Sequence, residues 1–222
     1  MTDAKRLTQE QRSAITSRKL RKATIELISE IGLANTTTVN IAKRAGVTRG
    51  ALMHHYRDKT ELVIDATREM WDTSIASTRG ICRRYVDGEV DLEGFVDALW
   101  ERSFTENYVS VTMDMIIAAR AEERILLHVD ASVEKLFESY DEAAEILFAA
   151  GNLSKEKRGL AMNMLTSLLR GLRIQNMMRN DPQVAVALRQ MVTLILKGAL
   201  DLEGVLDRVV AEDATRTSEN DA

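Results

Sequence analysis

The chain has 222 residues, 45% of them hydrophobic and 29% charged, with a formal net charge of −4. It is long enough to bury a sizeable core in one or two domains, and its balance is that of an ordinary soluble globular protein, not a disordered, fibrous or disulfide-stapled one. No apolar run approaches the roughly 18 residues of a membrane span and MTDAKRLTQE has no hydrophobic signal core, so no membrane association and a cytoplasmic location are expected.

One Pro, 11 Gly and few aromatic residues favour helix almost throughout. After a polar stretch of about ten residues, Leu20, Ala23, Leu27 and Ile31 form the buried stripe of a first helix, which Gly32 ends. Arg12, Arg18, Lys19, Arg21 and Lys22 lie along it, readable singly as a solvated face and together as a row that meets phosphates. Thr37 is an N-cap before Ile41, Ala42 and Ala45, and Gly46 can supply the left-handed stop of a short second helix. Val47 plugs the corner, and Thr48 caps a third helix whose inner side is Leu52 and Tyr56. Asp58, with Glu61 three residues on, opens a long fourth helix at Lys59.

Two short helices about a tight Gly-containing turn make a helix-turn-helix, whose second helix enters the DNA major groove. That helix leaves Arg49, Gly50, Ala51, Met53, His54 and His55 for solvent; Gly50 and Ala51 allow close approach, and Arg49 can fork onto a guanine edge. Charge is partitioned to match. Residues 1–58 hold 11 Lys and Arg against 5 Asp and Glu, whereas the remainder holds 19 against 29, a basic reader on an acidic body.

The run GVTRGALMHHYRDKTEL, with TTTVNIAKRA before it, resembles the DNA-binding signature of the TetR family of bacterial transcriptional regulators over roughly Ile15 to Leu62. LLRGLRIQNMMRNDP, Leu168 to Pro182, is similar to the second-last helix of many members and its link to the last. The resemblance implies phosphate contacts for Lys59, base contacts for the third helix and a two-fold four-helix dimer interface. Met53 stands where the family usually has a phosphate-binding Tyr, and Tyr56 where Phe is usual; Met53 could instead meet a thymine methyl.

Beyond the fourth helix, expected to reach about Tyr85, Asp87-Gly88 is a break. Helices are expected at about 91–107, 109–118 and 120–150, the last ended by Gly151. Their large side chains account for a helical core, and a Met-rich body also suits an adaptable ligand cavity, for which Trp100, Phe104, Tyr108, Met113, Phe137, Met164 and Leu168 are the candidate lining. Ser154 caps a helix to about Asn180, and Asp181-Pro182 opens the last, to about Val210. Both carry apolar residues on more than one face, which calls for a second subunit beside them. Residues 212–222 read as a disordered tail.

Enzyme signatures are missing: no G-x-G-x-x-G, Walker loop, H-E-x-x-H, G-x-S-x-G or E-x-x-H pair. Three His and one Cys leave little for a metal, so no metal, cofactor or catalytic residue is expected. For Cys82 a redox-sensor reading competes with plain packing, and His128 reads as a satisfied core or surface His before a ligand-binding one.

The expectation is therefore an all-α chain with a three-helix helix-turn-helix DNA-binding domain at 10–57 and a larger helical ligand-binding and dimerisation domain at 58–211. It would bind double-stranded DNA as a homodimer through the last two helices, most often as a repressor, and be released by an unidentified small-molecule effector. Arg49, His54, Met53 and Ala51 would face bases beside Gly50; Thr37, Thr38, Thr48, His55 and Lys59 would hold phosphates. Competing readings are an all-helical enzyme or small-molecule binder with the first three helices as scaffold, and an architectural DNA-binding protein without a cavity.

Overall fold

A computed structural model describes residues 8–148 and 154–200, the last three as backbone only. The polar stretch 1–7, the expected stop at Gly151, the end of the last helix near Val210 and the tail 212–222 lie outside the described residues. The elements are α1 (Gln9–Ile31), α2 (Thr38–Ala45), α3 (Arg49–His55), α4 (Lys59–Val86), α5 (Leu92–Ala98), α6 (Glu106–Ala119), α7 (Glu123–Leu147), α8 (Lys155–Arg179) and α9 (Pro182–Leu200). The described residues contain no strand, no helix long and apolar enough to cross a membrane and no metal-binding group of three or more His, Cys, Asp or Glu.

Local chemistry sets most boundaries. Thr8 accepts from the Gln11 amide while the Gln11 side chain accepts from the Thr8 amide, a reciprocal cap that starts α1 a turn before the expected basic cluster. Gly32 ends it at φ 80, ψ 156, a region essentially closed to residues with a Cβ. Ser154 caps α8 by accepting from Lys157, and the Asp181 carboxylate accepts from the amides of Gln183 and Val184 to open α9 at Pro182. The expected single helix at 91–107 is interrupted. The α-helix gives way at Leu99–Ser103 to a π-helical turn, Phe104 leaves helical geometry, and α6 begins at Glu106, earlier than expected.

The described residues fall into two compact units, one of 8–73 and 106–133, the other of 74–105, 134–148 and 154–200; the division passes through α4 and α7. In the first unit Leu20, Ala23 and Leu27 of α1 close with Ile41, Ala42, Leu52, Tyr56 and Leu62 into one cluster, Ala45 and Val47 packing on its edge. Side chains of this size each contribute roughly 1.5–3 kcal/mol when fully buried. α6 packs along α1, where Ser29 donates to Asn107 at 2.8 Å and the Leu33 amide donates to Asp114 at 2.7 Å. Deeper in the same unit, His128 is buried, stacked on Trp71 with Nε2 at 2.9 Å from the Thr67 hydroxyl, and burial pushes its pKa down to about 4.

The second unit is organised about the π turn. The Arg173 guanidinium of α8 donates to the Trp100 and Phe104 carbonyls, both at 2.7 Å, and lies 3.6 Å from the centre of the Trp100 ring. A π turn shifts the carbonyl register, and this buried arginine satisfies the oxygens it exposes. Cys82 is fully buried here and its thiol is pushed up to about 12 by desolvation, which removes the thiolate a redox sensor needs. α9 packs on α8 and α5, with Arg189 donating to Asp97 at 2.7 Å.

Candidate nucleic-acid interface

α2 opens with a reciprocal cap: Thr37 accepts from the Asn40 amide at 3.3 Å, and the Asn40 side chain accepts from the Thr37 amide at 2.6 Å. Gly46 stops it in the left-handed region at φ 67, its amide on the Ala42 and Lys43 carbonyls. Thr48 then accepts from the Ala51 amide at 3.1 Å and starts α3 only two residues later. Because Leu52 is wholly buried and Tyr56 nearly so, α3 can turn only one side outward.

On that side Thr48, Arg49, Gly50, Met53 and His54 are exposed, with Ala51 and His55 partly so. Thr37 is exposed and Thr38 partly exposed at the start of α2. The structure thus brings nine of the proposed DNA contacts onto the edges of two neighbouring helices. The tenth, Lys59, is engaged: its ammonium donates to the Leu33 and Thr36 carbonyls, both at 3.1 Å. Those carbonyl dipoles supply the negative partner that a cation in the first turn of a helix requires. An ammonium has three donors, so one stays available to a phosphate.

The basic row of α1 divides. Arg12, Arg18, Lys19 and Lys22 are exposed, whereas Arg21 is half-buried and bonded to Glu69 and, at 3.1 Å, to Asp65. Arg21 therefore holds α1 to α4 and leaves the phosphate-facing set; its pKa is raised still further by Glu69 and Asp65. The Asp65 carboxylate also accepts from the Tyr56 hydroxyl at 2.7 Å, and burial together with that acceptor pushes the phenol up to about 12. At the same end of α3, His55 Nδ1 lies 3.1 Å from the Ser17 hydroxyl of α1, orienting the ring. Neither Ser17 nor Asp65 was legible as a support, because the partners are 38 and 9 residues apart.

Asp58 accepts from the Glu61 amide at 2.8 Å and caps α4 as expected, but the Glu61 carboxylate returns to the Arg57 amide at 2.7 Å, one residue ahead of the cap. The other Asp58 oxygen pairs with Arg124 at 2.8 Å, and this guanidinium, with the Glu61 amide, holds the carboxyl below the usual carboxylate range.

The seven candidate effector contacts differ in exposure and fall in both units. Trp100, Phe104 and Tyr108 are buried, Met113, Phe137 and Met164 are exposed and Leu168 is intermediate. Tyr108 and Met113 belong to the first unit, the others to the second. None of them borders the cavity of about 540 Å³ in the first unit or that of about 230 Å³ between α8 and α9.

Three helices closed on one apolar cluster, with the amino edge of the third left bare, define a helix-turn-helix protein. Residues 20–66, about a fifth of the chain, match the model for bacterial regulatory proteins of the tetR family. It is 34% identical over 100 residues to the HTH-type transcriptional regulator BetI 1 of Chromohalobacter salexigens, a match spanning 45% of this chain and only 48% of that protein. Identity is 24% to the regulator CymR of Pseudomonas putida, over 81% of this chain and 88% of CymR. Among solved structures, a TetR-family transcriptional regulator from Mesorhizobium loti superposes with a TM-score of 0.69 at 17% identity, over 86% of this chain and 98% of that one. The regulator FadR of Bacillus subtilis, solved in complex with stearoyl-CoA, gives 0.59 at 16% identity, over 81% and 96%. At these identities the structural likenesses concern the fold.

Proposed function

We propose that this chain is a ligand-responsive transcriptional regulator, most simply a repressor, that binds a palindromic operator as a homodimer inside the cytoplasm. The observation that carries the reading is the exposed run Thr48, Arg49, Gly50, Met53 and His54 on a helix anchored by buried Leu52 and Tyr56. Arg49, His54, Met53 and Ala51 would face bases, with Gly50 permitting close approach; Thr37, Thr38, Thr48, His55 and the remaining donor of Lys59 would hold phosphates. Exposed Arg12, Arg18, Lys19 and Lys22 on α1 would extend the electrostatic footprint. In this reading residues 10–57 are the reader and 58–211 the effector-binding and dimerising body.

The dimer would form on α8 and α9, where Met178, Met191, Leu194 and Ile195 are exposed at 83, 56, 65 and 41%. Met191, Leu194 and Ile195 share one face at i, i+3 and i+4, a stripe that a second copy would remove from water. An effector that favours a different separation of the two readers would weaken operator binding, and the operator would weaken effector binding by the same factor.

The test is fluorescence anisotropy with duplexes from the region upstream of the protein's own gene, at salt concentrations from 50 to 200 mM, together with sedimentation of the free protein. With several phosphate contacts per dimer, affinity should fall by orders of magnitude across that range. Absence of salt-sensitive binding would overturn the reader, and a monomer under all conditions would overturn the paired half-sites.

A further inference from the structure

We propose that the cavity of about 540 Å³ in the first unit is a binding site for an organic amine with an apolar body. It opens where the α1–α2 turn, the first turns of α4, the end of α6 and the start of α7 meet, and its size is that of a small-molecule pocket. Val63 and Ile125, 1% and 3% exposed, form its apolar floor, while Ile117, 61% exposed, leaves a large aliphatic group on open water at its edge. An apolar body laid against them would remove that surface from solvent.

The polar wall decides the head group. Its one cation, Lys59, is turned to the Leu33 and Thr36 carbonyls. Its two anions, Asp114 and Glu122, keep acceptor capacity: Asp114 uses one oxygen for the Leu33 amide at 2.7 Å, and a carboxylate offers about four lone-pair directions. Acceptors and negative charge are thus in surplus. An ammonium brings three donors and the complementary charge, whereas a carboxylate head of the same size finds one remaining Lys59 donor and meets two like charges. An occupant on Asp114 would act on the same carboxylate that holds the turn before α2, which links the site to the helix-turn-helix; that consequence rests on the function proposed above, whereas binding itself does not.

The test is titration calorimetry of the full-length protein, without DNA, using octylamine, 1-octanol and octanoate. Octylamine should saturate at one equivalent per chain and bind at least tenfold more tightly than octanol, with octanoate weaker still. Glu122→Gln should cost octylamine, and not octanol, about tenfold, and Ala121→Trp, placed at the exposed corner to fill the cavity mouth, should abolish binding of both while leaving the thermal midpoint in place. Equal affinity for the amine and the alcohol, preference for octanoate, no binding of octylamine, or binding undiminished in Ala121→Trp would each overturn the assignment. Failure here leaves salt-dependent DNA binding untouched, so the two readings are separable.

Discussion

The hydroxyl of Tyr56 donates a 2.7 Å hydrogen bond to the carboxylate of Asp65, which also accepts from Arg21 at 3.1 Å. One residue at the end of the proposed recognition helix is thereby tied to α4 and, through Arg21, to α1. The geometry gives the Tyr at this position a use that the phenyl ring of the usual Phe cannot have. Tyr56→Phe should keep the ring packed but strip the bond, lowering stability by about 0.5–1.5 kcal/mol in urea titration. A loss within error, with unchanged operator affinity, would show that Asp65 is fully served by Arg21 and water.

Arg49 and Lys59 should separate by kind of effect. Arg49→Ala is expected to cost about 1–3 kcal/mol on the preferred operator and much less on scrambled duplex. Lys59→Met should weaken every duplex alike and flatten the log-affinity against log-salt slope by about one unit. Since the Lys59 ammonium also serves the Leu33 and Thr36 carbonyls, the same variant should lose stability without DNA, measurable by thermal denaturation.

His128 carries a pH dependence with a definite sign. Its folded pKa is pushed from 6.5 down to about 4 by burial. Above about pH 6.5 neither the folded nor the unfolded chain protonates it, and it contributes nothing to the pH dependence. Between about 6.5 and 4 the unfolded chain takes up a proton that the folded chain refuses, so stability falls as pH falls, by up to about 1.4 kcal/mol per unit. Denaturant titrations from pH 7 to pH 4.5 on the wild type and His128→Gln should differ by this slope. Parallel curves would mean that the ring accepts its proton in the folded state.

Cys82 should behave as a small apolar residue. With the thiol buried and its pKa raised to about 12, reaction with an aromatic disulfide at pH 8 should proceed only as fast as the protein opens, and guanidinium should release it. Fast stoichiometric labelling of the native chain would contradict the burial.

The apolar stripe of α9 gives the dimer its own check. Met191→Asp with Leu194→Asp changes two exposed positions and should leave the helical circular dichroism intact while shifting the sedimenting species to a monomer. A dimer that survives both charges would place the interface elsewhere.

Much of the candidate site could be read in the chain because it is built from short-range bonds. Thr37, Gly46, Thr48 and Asp58 act within three or four residues of themselves, and Leu52 and Tyr56 declare the inner side of α3 by spacing alone. The same logic failed at 91–107. The π turn at Leu99–Ser103 depends on carbonyls accepting from Arg173, about 70 positions away, and no local pattern marks it. For effector contacts no local pattern decides: size and polarity suggested Trp100 and Phe104, but what lies beside a large side chain decides whether it lines a cavity or fills a core.

By itself, then, the order of residues determined where helices start and stop, which edge of α3 stays bare and that the basic charge gathers at the front of the chain, since capping and periodicity act over one or two turns. Only the tertiary structure decided that Arg21 leaves the phosphate-facing row for Glu69 and Asp65, that Lys59 rests on two carbonyls, and that a cavity with surplus carboxylates opens beside α4. Each of these depends on groups from distant positions in the chain meeting at hydrogen-bond distance, and that encounter is a property of packing, which no window of neighbouring residues contains.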